Sequence, residues 1–158
     1  MRQKIDRYLG NFLVGLMAIM TIDVLWGVFT RYALGQQASW SEELARFLLI
    51  WIGILGSAYA AGKNYHLAID LLSPKLSTAA AARVAVLIRL LIILFAFFVL
   101  VIGGGRLIYI TQVLGQISPA LQIPMTLVYM VLPISGLLIL YFKIHDLIEF
   151  KSTGKSWK

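Results

Sequence analysis

"WSEELARFLLIWIGILGSAYAAG", Trp40 to Gly62, carries Glu42, Glu43 and Arg46 near its start and then no charge until Lys63. A helix that crosses the hydrocarbon of a bilayer needs about 20 largely apolar residues, and this stretch supplies them. Working outward, three further segments have the same character. With this one they give four membrane-spanning helices, over residues 9–30, 44–61, 84–102 and 124–142. The composition agrees: of 158 residues 60% are hydrophobic and only 13% charged, with a mean hydropathy of +0.86. A soluble domain carries about 25% charged residues, so this chain is too apolar to cover a core with a polar skin. The sequence therefore reads as an all-α integral membrane protein, residues 1–158 forming one four-helix domain.

The net charge of +7 does not make a nucleic-acid surface, because the basic residues form no patch interleaved with stacking aromatics. They lie in short pieces between the apolar runs. Arg2, Lys4 and Arg7 precede the first span; Lys63, Lys75 and Arg83 fall between the second and third; Lys143, Lys151, Lys155 and Lys158 follow the fourth. The other side has Arg31, Arg46 and Arg106. By the positive-inside rule both termini and the middle connection face the cytoplasm. The absence of Cys excludes disulfides, thiolate metal sites and cysteine nucleophiles. The basic, then apolar, N-terminus has no small-residue cleavage site before Phe29, which makes it a retained first helix rather than a signal peptide.

The middle connection, "KNYHLAIDLLSPKLSTAAAARVAV", alternates apolar and polar residues and is interrupted by Pro74, so a short amphipathic segment along the inner interface is expected. Pro124 suits a first helical turn, and Pro133 should kink the fourth span by removing a backbone hydrogen bond. The run Gly103–Gly105 lacks the spacing and the Lys-Ser/Thr of a phosphate-binding loop. It is expected to loosen the outer end of the third span.

Few polar residues inside the spans need a reason. An acid at a helix centre costs about 2.5–3.5 kcal/mol to insert, so Asp23 should face protein or water rather than lipid. A structural pair with Arg46 is the preferred reading over an ion ligand. Arg89, two turns into the third span, should snorkel to the lipid phosphates. Glu42 stands four residues before Arg46, the favourable order for an ion pair, while Ser41 can cap the turn. Glu43 points about 100° away and is not needed for capping. A paired-carboxylate hydrolase would require a cleft and supporting groups that the sequence does not supply, so an enzyme is not expected. Gly53, Ser57 and Ala61 recur every four residues, a spacing that lets another helix approach closely, inside this unit or from a partner. His66 and Asp70 lack a third metal ligand and read as an interfacial loop.

These residues together carry a resemblance. "RYALGQQASWSEELARFLLIWIGILGSAYAAGKNYHLAIDLL", with Arg31-Tyr32, Trp40, Glu42-Glu43, Arg46, Trp51, Gly56, His66 and Asp70, resembles the small membrane subunit of tripartite ATP-independent periplasmic (TRAP) transporters, the DctQ type. "SPALQIPMTLVYMVLPI", with Ser118 to Leu121, Ile123-Pro124, Tyr129 and Leu132-Pro133, extends the match. The Gly usual before Ile-Pro in that family is Gln122 here. The resemblance implies an inner-membrane scaffold beside a large elevator-type subunit that holds the sodium and substrate sites, fed by a periplasmic binding protein with an organic acid. It implies no cofactor in this chain, and lets Glu43 and Trp40 face the partner subunit or the binding protein. The rival expectations are a small stand-alone channel or carrier using Asp23, and an assembly subunit of some other membrane complex.

Overall fold

A computed structural model describes residues 2–36, 38–63 and 78–153, and their regular structure is helical apart from one bridge between Ile117 and Pro124. Helix α1 spans Arg2–Ala33 and α2 spans Ser39–Gly62. Helix α3, Thr78–Phe95, runs on into a π-helical stretch, Ala96–Gly103, and then into α4, Gly104–Val113. A short helix α5, Met125–Tyr129, leads into α6, Val131–Thr153. Four stretches are long and apolar enough to cross a membrane: Ile5–Ala33, Ser39–Gly62, Val86–Val113 and Met125–Ile148. The expected interfacial segment between the second and third spans, with His66 and Asp70, lies outside the described residues.

The helices pack in the order α1, α2, α6, then the third span: α1 lies on α2, α2 on α6, and α6 on the π-helical stretch. The core runs across this row, from Leu9 and Leu13 through Leu55 and Ala58 to Val131, Ile139 and Phe142, and on to Ala96 and Leu100. The outer faces of α1 and of the third span stay apolar and exposed, as at Ile22, Leu25, Leu91 and Phe98. In hydrocarbon such a surface is the solvated one, because helices satisfy their backbone internally.

The fourth span is interrupted at Met130, three residues before Pro133. Pro133 has no N–H to give to the carbonyl of Tyr129, and its ring crowds that carbonyl, so the break is the one its position dictates. The indole of Trp51 reaches into this region and donates to the Val128 carbonyl at 3.1 Å.

The glycine run behaves otherwise than expected. The third span does not loosen at Gly103–Gly105 but continues helically to Val113. The reason is packing: a Cβ on Gly104 would stand 2.8 Å from the Leu132 Cβ, and one on Gly136 would stand 2.8 Å from the Leu100 Cβ. These two glycines let the third and fourth spans approach closely, the role small residues play between helices in lipid.

Candidate functional site

The end of the molecule opposite the termini is built around the start of α2. Its entry is set by α1. Thr30 is buried, and its Oγ1 accepts the Ala38 N–H at 3.3 Å, so residues 34–36 and 38 turn back along the last turns of α1. Helix α2 consequently starts well below the top of α1. Ser41 comes level with Asp23 and donates from Oγ to the Asp23 carbonyl at 3.0 Å. Ser41 is thus an interhelical tie rather than a cap, and the N-cap position is Ala38, without a side-chain bond.

This register overturns the Asp23–Arg46 pair. Five residues separate Ser41 from Arg46, about 7.5 Å along the helix, which takes the guanidinium past Asp23. Arg46 instead pairs with Glu42 on its own outer face at 3.2 Å, both side chains about two-thirds exposed. An exposed pair of this kind contributes only a few tenths of a kcal/mol. Asp23 is buried, and neither carboxylate oxygen has a hydrogen-bond partner among the described residues.

Glu43 does not turn toward a partner but inward. It is 8% exposed, and its Oε2 accepts the backbone N–H groups of Ala120 at 2.9 Å and Leu121 at 2.8 Å. The loop it holds is itself closed. The Ser118 N–H donates to the Ile123 carbonyl at 2.9 Å, Ser118 Oγ accepts the Ile123 N–H at 3.2 Å, and the Met125 N–H donates to the Gln116 carbonyl at 2.9 Å. The two sequence motifs thus meet: "WSEELAR" supplies the acceptor and "SPALQIP" the donors. Each was visible along the chain, but their pairing across 77 residues was not.

Gln122 adopts φ +56°. That left-handed conformation costs a residue with a Cβ about 1–2 kcal/mol. Gln122→Gly is expected to raise the thermal midpoint of the purified protein, by the equivalent of roughly 0.5–1 kcal/mol. The gain is net of the exposed bond from Gln122 Nε2 to the Pro119 carbonyl, 3.0 Å. A lowered midpoint would show that this bond outweighs the backbone strain.

Trp40 is exposed beside this platform, and Gly53 and Ser57 also face outward. A Cβ on Gly53 would meet nothing within 4 Å, so the upper part of the small-residue row is not used inside the four helices. Its last member, Ala61, is buried in the core.

A polar group that the sequence reading placed wrongly lies toward the end of the molecule that carries the termini. Arg89 is 3% exposed and sits inside the protein rather than snorkelling to lipid, within electrostatic reach of Asp146. Lys143, counted among the basic residues beyond the fourth span, is wholly buried in α6, with Nζ 3.5 Å from the Asp146 Oδ2. The spacing Lys143–Asp146 is i, i+3 within one helix, and that was the available signal. No group of three potential metal ligands occurs among the described residues.

Comparison with known proteins gives this arrangement a family. Residues 20–151 match the family model described as "Tripartite ATP-independent periplasmic transporters, DctQ component". A candidate TRAP transporter small permease protein of Haemophilus influenzae is 26% identical over 145 residues, covering 92% of this chain and 88% of that one. A sialic acid TRAP transporter small permease protein of Vibrio cholerae is 30% identical over 90 residues, 57% of this chain and 52% of its own. A C4-dicarboxylate TRAP transporter small permease protein of Rhodobacter capsulatus is 28% identical over 117 residues, 73% of this chain and 51% of its own. This chain thus spans about half the length of the last two. A similar segment also occurs inside a longer chain, where it covers 20% of an isethionate TRAP transporter permease protein of Oleidesulfovibrio alaskensis.

Proposed function

Because the chain belongs to the family of DctQ components of TRAP transporters, a family of multi-pass inner-membrane subunits that partner with large permease subunits, we propose that it is the passive brace of such a transporter. On this reading it holds the fixed part of an elevator-type large subunit, which carries the sodium and substrate sites. It has no substrate site of its own, and the whole of residues 1–158 acts as one four-helix unit. The observation that carries the proposal is the fate of Glu43. The acid best placed to handle cargo or touch a partner is spent instead on fixing the loop at residues 118–123, which is what a scaffold needs and a transport site does not.

On this reading both termini and the middle connection face the cytoplasm, an orientation that the basic flanks support by the positive-inside rule. The Glu43 platform, with Trp40 and the Glu42–Arg46 pair on its rim, then faces the periplasm, where a soluble binding protein would deliver its load. The transported solute is an organic acid taken up with sodium. Similarity around "WSEELARFLLIWIG" favours a sialic-acid system over a C4-dicarboxylate one.

The test is uptake by vesicles holding this chain alone, its large partner alone, or both. Uptake is expected only where both are present, and uptake by this chain alone overturns the proposal. Asp23 sustains the second reading, because it is a buried carboxylate inside a span with neither oxygen hydrogen-bonded among the described residues. Under the brace reading, Asp23→Asn leaves the uptake of the assembled complex within about twofold of the parent (~0.4 kcal/mol). Under the carrier reading it abolishes flux while assembly persists.

A further inference from the structure

The side of the molecule where α1 meets α2 has a groove of about 740 Å³, open laterally, that neither the fold nor the scaffold role explains. Its two ends differ chemically. Toward the end carrying the termini lie Asp6, Arg7 and Lys63, with the Tyr59 ring between them and the deeper part; further along α1 the lining is Gly10 and Asn11, then Leu13, Val14 and Met17. From Arg7 to Met17 is ten residues, about 15 Å of helix. That is half the thickness of a bilayer's hydrocarbon, about 30 Å, or one leaflet. The apolar part of that length, Leu13 to Met17, is about 6 Å, so a charged mouth at the membrane face leads past Asn11 into an apolar track that takes the upper part of one acyl chain, the order of groups in a phospholipid.

The charges narrow the headgroup. Asp6 is 9% exposed, and its Oδ1 has no hydrogen-bond partner among the described residues. It lies close to α2 because residue 62 is glycine; a Cβ there would stand 3.0 Å from that oxygen. Arg7 and Lys63 are exposed on either side, with the Lys63 Nζ 5.7 Å from the centre of the Tyr59 ring. The mouth therefore offers two cations for a phosphate and the Asp6 carboxylate, whose Oδ1 is closed off against α2 and whose other oxygen is left to accept from an N–H donor. A headgroup of phosphate linked to a primary ammonium satisfies both. A trimethylated ammonium has no hydrogen to give to Asp6, and a glycerol headgroup supplies no positive charge.

We propose that the α1–α2 groove is a specific site for a phosphatidylethanolamine-type lipid, its phosphate on Arg7 and Lys63, its ammonium on Asp6, and one acyl chain along Leu13, Val14 and Met17. This assignment rests on the membrane-spanning fold and not on the transport reading, so the two stand or fall separately.

The experiment is native mass spectrometry of the full chain, alone and with its large subunit, after exchange into detergent with defined lipids. Wild type is expected to retain one phosphatidylethanolamine about tenfold more often than phosphatidylcholine or phosphatidylglycerol of the same chains, the size of one charge-assisted hydrogen bond. Asp6→Asn should bring that preference close to parity, and Asp6→Glu should keep it. Val14→Trp should lower retention of every diacyl lipid, and free phosphoethanolamine should not compete. If Asp6→Asn does not fold, Lys63→Gln at an exposed position serves instead and should weaken ethanolamine and choline lipids alike. Equal retention of the three lipids by wild type overturns the proposal. So does an unchanged preference in Asp6→Asn, full competition by free phosphoethanolamine, or loss of the lipid when the large subunit binds.

Discussion

Asp146→Ala is expected to cost about 3–5 kcal/mol, the effect of removing one partner from a buried ion pair. Lys143 has no exposed side-chain surface and Arg89 almost none, so each would be left a buried cation without the carboxylate that faces both. Water cannot reach them there to compensate. The change should appear as a large fall in the thermal midpoint of the purified protein and as poor recovery from the membrane. Replacing all three together, Arg89→Leu and Lys143→Met with Asp146→Leu, should recover much of the loss, because the cost lies in the uncompensated charge rather than in the missing attraction. A single Asp146→Ala variant as stable as the parent would show that the group is solvated or neutral.

Glu43→Ala is expected to cost about 3 kcal/mol, because it strands two backbone donors that now share one carboxylate oxygen. The loss is local. Hydrogen exchange at Ala120 and Leu121 should accelerate by at least about a hundredfold, a factor equivalent to ~2.7 kcal/mol, while exchange in α6 changes little. Glu43→Gln keeps an acceptor in place and should lose about half as much. Protection of the loop undiminished in Glu43→Ala would mean that its own bonds, through Ser118 and Gln116, already hold it.

The four spans were legible in the sequence because hydropathy and length decide them, and Pro133 marked the break in the fourth. The registers between helices were not. Asp23 and Arg46 are correctly placed at one end of a hairpin, yet the return of the chain along Thr30 lowers α2 by enough to separate them. Glu43 was visible as an acid without a local duty, but its partners are backbone N–H groups, which carry no residue signature. Arg89 illustrates the same limit from the other side. A cation two turns into a span can snorkel or can be buried against a neighbouring helix, and only packing chooses between the two. Gly104 and Gly136 were hidden for a related reason, since a close approach is a property of two segments and a glycine belongs to one. The positive φ at Gln122 was not readable from its side chain, because it is set by the closure of the loop around it.

The packing order has a consequence for how the chain is made. Helices α1 and α2 are sequence neighbours and can close on each other as soon as both have entered the bilayer. The third span leans almost wholly on the fourth, which leaves the ribosome last. Until then it waits in lipid with Arg89 unsheltered, and a guanidinium so near the helix start can wait by reaching for headgroup phosphates. Snorkelling would then be a stage in the biogenesis of Arg89, ended when Asp146 arrives. A chain truncated before Asp146 should expose Arg89 to a water-soluble arginine-modifying reagent that the full-length chain excludes.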